Sequence, residues 1–370
     1  MQKEKNYDYL IVGAGLAGIT IAERLASQLN KSILIIDRRK HIGGNCYDYY
    51  DKAGILVHKY GTHLFHTKYK PVFDYLSNFT KWHKYEHQVK AYVDDQIYDM
   101  PINLNTINKF FKENFNTKEC KKFLEGKRVK IKNPSNAEEQ VLSLVGRELY
   151  NKFFKNYTKK QWEINPRDLD PSVTARIPLR FNEDARYFED KYQFMPKSGF
   201  TEMFKKMLNN KNIDIKLNTS FKEIKDKVSY DKLLYSGCID EFFNYKYEPL
   251  AYRSLKFRFK TFNKNFYRDY CVINYPNEHK YTRILELKHA TGQKIDKTTI
   301  VYEYPSAKGE PYYPIPRKEN QVLYERYAKL AKNLKNTYFI GRLGGYKYLN
   351  MDQVVLETLK VFKKIKNNIQ

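Results

Sequence analysis

The sequence predicts an α/β protein, and the first forty residues carry that prediction. The apolar run Tyr9–Val12 leads into the turn Gly13-x-Gly15-x-x-Gly18, and a helical pattern continues from Ile19 to Leu29. A second apolar run, Ile33–Ile36, ends on Asp37. A strand, a glycine turn, a helix and a second strand in this order predict a βαβ unit with a parallel sheet.

The glycine spacing predicts a dinucleotide site at this turn. Gly13 permits a tight turn, Gly15 lets a pyrophosphate approach the backbone, and Gly18 lets the helix pack closely on the strand. Free N–H groups at the helix start can hold phosphates. Asp37 is placed to accept a hydrogen bond from a ribose hydroxyl.

A second glycine pair follows soon after this unit. Arg38 leads into Gly43-Gly44-Asn45. The pair predicts backbone lying against a further part of a long cofactor, as a flavin dinucleotide would require, although Gly-Gly-Asn also forms ordinary turns.

Histidines in the next stretch raise the alternative of a metal site. Three lie within residues 58–67, and the pair His83 and His87 follows. We expect no metal, because no His-Glu-x-x-His pattern occurs and the predicted strand at 84–93 separates positions i and i+4. We favour the interpretation that Gly61 and a neutral His63 lie beside a flavin ring.

Composition limits the remaining classes of protein. The 370 residues predict two or three domains, and no apolar run approaches the ~20 residues of a membrane helix. The net charge of +25 is spread along the chain, which favours a solvated surface or a basic cleft over a nucleic-acid arm. The four cysteines are scattered along the chain with no paired spacing, which favours a reducing cytoplasm over a disulfide framework. They are Cys46, Cys120, Cys238 and Cys271.

The middle of the chain predicts a hairpin and then helices. A hairpin is expected over Gln88–Met100, and helices over Leu104–Phe154. Phe153 and Tyr157 can be either core residues or a base-stacking pair. The irregular segment Asp168–Arg180 is a candidate lid over phosphates, and the mobile lid as a whole is expected to span Lys160–Pro178.

The last third predicts a second sheet and a return to the first. Strands are expected at 253–262, 284–287 and 300–304, and a helix from a cap at Asn320 to Leu334. The run from Thr337 to Arg342 should rejoin the first sheet as a buried parallel strand. A final helix should begin after Asn350, with Gln353 completing a capping box.

Eight motifs in this order resemble those of bacterial UDP-galactopyranose mutases over essentially the whole chain. The resemblance implies FAD, which must be reduced, and interconversion of the pyranose and furanose forms of a UDP-sugar through a flavin N5–sugar adduct without net redox change. The motifs are Gly13-x-Gly15-x-x-Gly18, His41–Asn45, Tyr60–Thr67, Tyr157–Trp162, Val173–Pro178, Tyr281–Arg283, Pro311–Ile315 and Gly341–Gly344.

The fold that the resemblance implies is an FAD-binding Rossmann-type domain with an inserted helical domain and an antiparallel β-sheet domain. We expect residues 1–80, 195–240 and 320–370 in the first, 101–178 with a mobile lid in the second, and 81–100, 179–194 and 241–319 in the third.

The resemblance also implies roles for particular residues. Arg176 and Arg283 would clamp the diphosphate, and His63 would lie by the flavin. Substrate contacts are implied for Phe153, Phe154, Tyr157, Trp162, Tyr187, Asn274, Tyr313, Tyr348 and Asn350. FAD contacts are implied for Gly13, Gly15, Gly18, Asp37, Arg38, Gly43, Gly44, Asn45, Gly61, Gly341, Arg342 and Met351.

The chain departs from the family pattern at several positions. Thr62 stands where proline is usual, Glu163 where glycine often follows the tryptophan, and Asn350 where aspartate is usual. His87-Gln88 replaces a common Asn-Arg pair on the expected sugar side, so both galactose and a 2-acetamido sugar stay open.

Two other classes stay as alternatives. A flavin amine or alcohol oxidase shares the dinucleotide fold, but the arginine and tyrosine sets argue against it. A non-enzymatic nucleotide-sugar binder would explain the charge and not the second glycine pair. We further expect a cytoplasmic homodimer without nucleic acid, membrane insertion or metal.

Overall fold

The strands form two main sheets and two small ones. The structure is a computed structural model that describes residues 6–175 and 177–368. In chain order the strands are β1 Tyr7–Val12, β2 Ile33–Ile36, β3 Asp48–Tyr50, β4 Leu56–His58, β5 Phe65–Thr67, β6 Trp82–Lys84, β7 Val89–Val93, β8 Gln96–Met100, β9 Tyr192–Pro196, β10 Ile213–Lys216, β11 Tyr230–Tyr235, β12 Tyr252–Phe262, β13 Val272–Asn274, β14 Arg283–Leu285, β15 Thr298–Ser306, β16 Tyr313–Pro314 and β17 Thr337–Phe339.

Helices fill the connections between these strands, and a π-helical turn covers Tyr150–Lys155. In chain order the helices are α1 Leu16–Leu29, α2 Lys70–Ser77, α3 Leu104–Phe111, α4 Thr117–Lys127, α5 Ala137–Leu149, α6 Asn156–Trp162, α7 Ser172–Ala175, α8 Phe200–Met207, α9 Phe221–Ile224, α10 Ile239–Phe242, α11 Lys288–Thr291, α12 Lys318–Lys332, α13 Gly341–Gly344 and α14 Met351–Asn367.

The first sheet is parallel and has the strand order β10–β2–β1–β11–β17. The predicted βαβ unit is confirmed as β1, α1 and β2. The run after Thr337 does rejoin this sheet in parallel, as β17 beside β11. Its predicted burial is wrong, because β17 is an edge strand and its three residues are half-buried.

Apolar runs in β1 and β2 are explained by packing on both faces of the sheet. Side chains alternate between faces along a strand. Ile11 and Ile35 therefore pack with α1 in the main core, whereas Leu10 and Leu34 pack in a separate cluster with Ile224 of α9. This sandwich holds the carboxyl ends of both strands in fixed positions.

The second sheet has the order β16–β12–β15–β14–β13–β7–β8. It is antiparallel except that β13 and β7 pair in parallel. The predicted hairpin is confirmed as β7 and β8, and Asp94 and Asp95 turn it with φ of +47° and +61°. The strand expected at 84–93 is interrupted: β6 pairs with β9 in a small sheet, and β7 begins again at Val89.

Two predicted helix starts have different outcomes. The capping box of Asn350 and Gln353 is confirmed at the start of α14. The start at Asn320 is wrong, because α12 begins at Lys318 and the Asn320 side chain donates to the Ile315 carbonyl instead. Within the described residues, none of the helices combines the length and the apolar character needed to cross a membrane.

Candidate active site

The parallel sheet carries a cavity of about 280 Å³ at the carboxyl ends of its strands, which we call the first cavity. Crevices at this edge are the usual ligand sites of parallel α/β sheets. Predicted cofactor residues in its wall are Gly13, Gly15, Asp37, Arg38, Gly43, Gly44, Asn45, Gly341, Arg342 and Met351.

The two glycine sites lie against each other in this cavity. Gly15 and Gly43 form a parallel bridge, and the Gly43 N–H donates to the Ala14 carbonyl at 2.7 Å. A Cβ on Gly44 would lie 2.9 Å from the Gly15 Cα, so a side chain there would displace backbone. The result is a cradle of bare backbone at the start of α1, where N–H groups can hold a pyrophosphate.

Gly18 serves packing and does not line the cavity. A Cβ there would lie 1.9 Å from the Gly13 carbonyl oxygen and 3.2 Å from Ile11 Cγ2. This close approach of α1 to β1 is the role that the sequence predicted for the third glycine.

The Asp37 carboxylate closes the cavity beside the β2 end. Its Oδ2 accepts from the Ala14 N–H and its Oδ1 from the Arg39 N–H, both at 2.8 Å. Each carboxylate oxygen can accept more than one hydrogen bond, so both can still receive a ribose hydroxyl.

A second cavity of about 260 Å³ adjoins the first. It runs between the helical residues 153–162 and the second sheet, and Gly61 lies in its wall, not in that of the first cavity. Five residues line both cavities, and these mark where they meet: Asn45, His63, Tyr312, Arg342 and Met351.

His63 at this junction is a neutral imidazole with a defined tautomer. Its Nδ1 lies 2.9 Å from the Gly61 carbonyl, which can only accept, so Nδ1 carries the proton. Burial, followed by the influence of His58, lowers the pKa of His63 to about 3. Its Nε2 is therefore a hydrogen-bond acceptor at the boundary between the cavities.

Arg283 provides a fixed positive charge in the second cavity. Its guanidinium binds the Glu303 carboxylate, with the Nη2–Oε1 distance 2.7 Å. Burial, the largest single influence, lowers the pKa of Arg283, but the charge and hydrogen bond of Glu303, together with Tyr157 and Tyr313, outweigh it and raise that pKa well above its usual range. Arg176, the second predicted clamp, lies outside the described residues.

Aromatic side chains and an amide also line the second cavity. Phe153 packs edge-on against Tyr98 and Phe110, and it also lines the cavity, so it serves both the core and the site. The Asn274 Oδ1 is buried without a hydrogen-bond partner in the described part of the chain. Other predicted substrate residues in this wall are Phe154, Tyr157, Trp162, Tyr187, Tyr313, Tyr348 and Asn350.

The predicted lid packs against the second sheet here. Lys160 donates to carbonyl groups of the loop 275–281, and Trp162 stacks edge-on on Tyr313 at 5.5 Å. Glu163 has φ of +52° and pairs with the buried Arg253 at 3.0 Å, which offsets the strain of a non-glycine residue there.

Arg180, also expected over phosphates, does not line either cavity. It is buried and pairs with Glu189 at 3.3 Å, and its guanidinium donates to nearby carbonyls of the same loop. Its charge therefore organises the 180–189 loop, and the prediction of a phosphate contact is wrong for this residue.

Several residues of both cavities escaped sequence reasoning. Ser236, Gly237 and Cys238 line the first cavity after β11. A signal was available, since Leu233-Leu234-Tyr235 is a short apolar run that ends in small residues. Glu303 gave no signal, because its partner is 20 residues away along the chain.

Comparisons with known proteins agree with this geometry. Residues 152–348 match the family model described as UDP-galactopyranose mutase, and residues 11–79 match that of an NAD(P)-binding Rossmann-like domain. A probable UDP-galactopyranose mutase of Klebsiella pneumoniae is 41% identical over 96% of this chain and 94% of its own length. A dTDP-fucopyranose mutase of Escherichia coli is 38% identical over 97% of this chain and 98% of its own. The crystal structure of a reduced UDP-galactopyranose mutase has a TM-score of 0.79 at 15% identity and covers 98% of this chain and 94% of that one.

Proposed function

The chain belongs to the UDP-galactopyranose mutase family, and from that premise we propose that it interconverts the pyranose and furanose forms of a UDP-sugar with reduced FAD as cofactor. Members of this family are flavin-dependent isomerases. The junction of the two cavities at His63 supports the proposal most, because a flavin and a sugar must meet there.

The first cavity fits a flavin dinucleotide. Its bare-backbone cradle would hold the pyrophosphate, and Asp37 would hold a ribose. Met351, the first residue of the 17-residue helix α14, lies at the junction, so the positive end of that helix would face a flavin ring bound there. A reduced flavin supplies a nucleophilic nitrogen for the anomeric carbon, and its reduced, anionic ring would be stabilised by that helix end.

The second cavity fits a nucleoside diphosphate sugar. Arg283 would bind the diphosphate, and Arg176 is proposed as its partner in the clamp. Asn274 offers a buried amide to a uracil edge, and Phe153, Phe154 and Tyr157 offer surfaces for the base. The hydroxyls of Tyr187, Tyr313 and Tyr348 would complete the phosphate and sugar contacts.

The sugar is proposed to be galactose, with its 2-acetamido analogue as the second candidate. The relative named dTDP-fucopyranose mutase acts, by its name, on another nucleotide and another sugar. The test therefore compares UDP-galactofuranose, its 2-acetamido analogue and dTDP-fucofuranose under anaerobic conditions, with and without dithionite.

We expect turnover of a UDP-sugar only after reduction of the flavin. Equal activity with oxidised flavin, or steady oxygen uptake on substrate, would contradict the mutase proposal and favour the oxidase alternative. Preference for the thymidine nucleotide would contradict the assignment of UDP.

The domain boundaries, the compartment and the oligomer complete the proposal. We assign the three domains at the boundaries given above, since the first and second sheets draw their strands from those ranges. All four cysteines are buried and free, which supports a reducing cytoplasm. A homodimer follows from the family resemblance.

A further inference from the structure

His87 is a buried polar side chain in the wall of the second cavity to which the roles above give no task. His87 is 5% exposed, and the centroid of its ring lies 5.8 Å from that of the Tyr187 ring and 5.9 Å from that of the Phe188 ring. The Tyr187 N–H donates to the His87 carbonyl at 2.6 Å, which fixes the backbone at the break between β6 and β7.

The imidazole of His87 is neutral. Burial, followed by the charges of Arg283 and His66, lowers the pKa of His87 to about 3. A neutral imidazole has one donor nitrogen and one acceptor nitrogen. The hydrogen bond at Nδ1 decides which of the two nitrogens carries the proton, and so whether Nε2 is a donor or an acceptor.

Tyr85 determines that hydrogen bond. Its hydroxyl lies 3.1 Å from His87 Nδ1 and also bonds with the thiol of Cys271. Burial raises the pKa of Tyr85 above its usual range and that of Cys271 to about 12, so both groups keep their protons.

The direction of this chain of hydrogen bonds follows from donor and acceptor strength. Thiols are weak donors and weak acceptors, whereas an imidazole nitrogen is a strong acceptor and a phenol a strong donor. Tyr85 has one hydroxyl proton, which it can donate to the Cys271 sulfur or to His87 Nδ1, and because the nitrogen is the stronger acceptor the favoured arrangement has Tyr85 donating to Nδ1. The proton of His87 then lies on Nε2, and no hydrogen bond to Nε2 occurs among the described residues.

We propose that His87, held as the Nε2–H tautomer by Tyr85, donates a hydrogen bond to one oxygen of the sugar and so selects the sugar. The inference rests on the proposed function and deepens it. A hydroxyl or an acetamido carbonyl would satisfy this donor, whereas a methyl group or hydrogen at the same position would leave it unpaired. Gln88, by contrast, is exposed and bridges to Arg186, so it lies outside the cavity wall.

A comparison of variants and substrate analogues tests the contact. The values of kcat/KM are measured for UDP-galactofuranose and its monodeoxy analogues with wild type, His87→Ala and His87→Asn. For His87→Ala we expect kcat/KM with the full sugar to fall about tenfold, because the sugar oxygen loses the hydrogen bond from His87 and is left without a donor. One monodeoxy analogue should be poor for wild type and should show no further loss with His87→Ala.

UDP binding and a matched substitution serve as controls. The Kd of UDP should change less than twofold in His87→Ala, because the proposed hydrogen bond of His87 is to the sugar, which UDP lacks. His83→Asn makes the same kind of change on β6, outside both cavities, and should leave every parameter unchanged.

The tautomer is measured independently of turnover. Long-range ¹H–¹⁵N spectra of histidine-labelled holoenzyme should show His87 protonated at Nε2, with the signal assigned by its loss in His87→Asn. Tyr85→Phe should shift this signal toward the other tautomer and lower kcat/KM severalfold with the Kd of UDP unchanged. A merely structural role of Tyr85 would leave the tautomer as it is.

The outcomes separate this inference from the function on which it rests. A wild type that turns over no UDP-sugar overturns the proposed function and this inference with it. An active wild type in which His87→Ala lowers kcat/KM equally for every analogue, or in which His87 carries its proton on Nδ1, overturns the inference alone.

Discussion

Arg283 and Glu303 are directly opposite each other on the antiparallel strands β14 and β15. One carboxylate oxygen, Oε1, lies 2.8 Å from Nε and 2.7 Å from Nη2 of the guanidinium. The Glu303 side chain is fully buried, and its Oε2 has no hydrogen-bond partner in the described part of the chain. Glu303 therefore fixes the position of the Arg283 guanidinium in the wall of the second cavity.

Arg283→Ala should weaken UDP binding about ten- to a hundredfold while FAD stays bound. The reason is the loss of a charge-assisted hydrogen bond to the diphosphate, worth about 1.5–3 kcal/mol. The measurement is the Kd of UDP by calorimetry, with the flavin content read from its absorbance.

Two variants calibrate this result. Arg258→Ala removes an exposed arginine from β12 of the same sheet and should leave the Kd unchanged. Glu303→Gln keeps an acceptor for Arg283 and should cost less than Arg283→Ala. Wild-type affinity for UDP in Arg283→Ala would contradict its role in the clamp.

Gly18→Ala should abolish retention of FAD and lower the thermal midpoint. The added Cβ would overlap the Gly13 carbonyl, and overpacking of this kind costs about 1–3 kcal/mol or more. Gly126→Ala is the matched control, because a Cβ there meets no atom within 4 Å in the helix α4. It should stabilise the protein by about 0.5–1 kcal/mol, and equal midpoints for the two variants would contradict the packing argument.

Acid should destabilise the protein through His58, whose pKa burial lowers to about 3. Between about pH 6.5 and 3 the unfolded chain binds a proton at this position that the folded chain does not. The unfolding free energy therefore falls as pH falls, by about 1.4 kcal/mol per pH unit for one such group.

His58→Asn isolates this contribution. Asparagine can still accept the hydrogen bond that His58 Nδ1 receives from the His63 N–H at 3.0 Å. The difference in unfolding free energy between wild type and variant, from denaturant titrations at pH 7.5, 6 and 5, should change with pH only below about 6.5. A difference independent of pH would show that His58 is not a buried neutral imidazole.

Trp162 should report on the movement of the lid. In a Trp82→Phe background the remaining indole is buried against Tyr313, and we expect UDP to change its fluorescence as the lid closes. Glu163→Ala removes the ion-pair partner of Arg253 and so weakens the contact between the lid and the second sheet. We therefore expect it to increase the acrylamide quenching of Trp162 in the absence of UDP.

The exposed Glu125 of α4 offers a matched control for this variant. Glu125→Ala should leave the quenching unchanged. If UDP alters neither the emission nor the quenching of Trp162, the lid is rigid and the prediction is wrong.

Local patterns by themselves determined the βαβ unit, the hairpin at Asp94-Asp95 and the capped start of α14. Each depends on residues close together in the chain, because glycine conformation, side-chain alternation and capping are local effects. The motifs that resemble the family also placed most predicted residues beside the two cavities, where the structure brings them together.

Tertiary structure alone decided which distant segments pair. The strand β11 lies between β1 and β17, but Asp231 and Lys232 shorten its apolar run to three residues, so its sequence signals a strand without placing it in the middle of this sheet. The register of β14 on β15 puts Glu303 against Arg283, and the break after β6 turns His87 into the cavity wall. These relations depend on strand order and register, which the packing of the whole sheet fixes and no short stretch of sequence encodes.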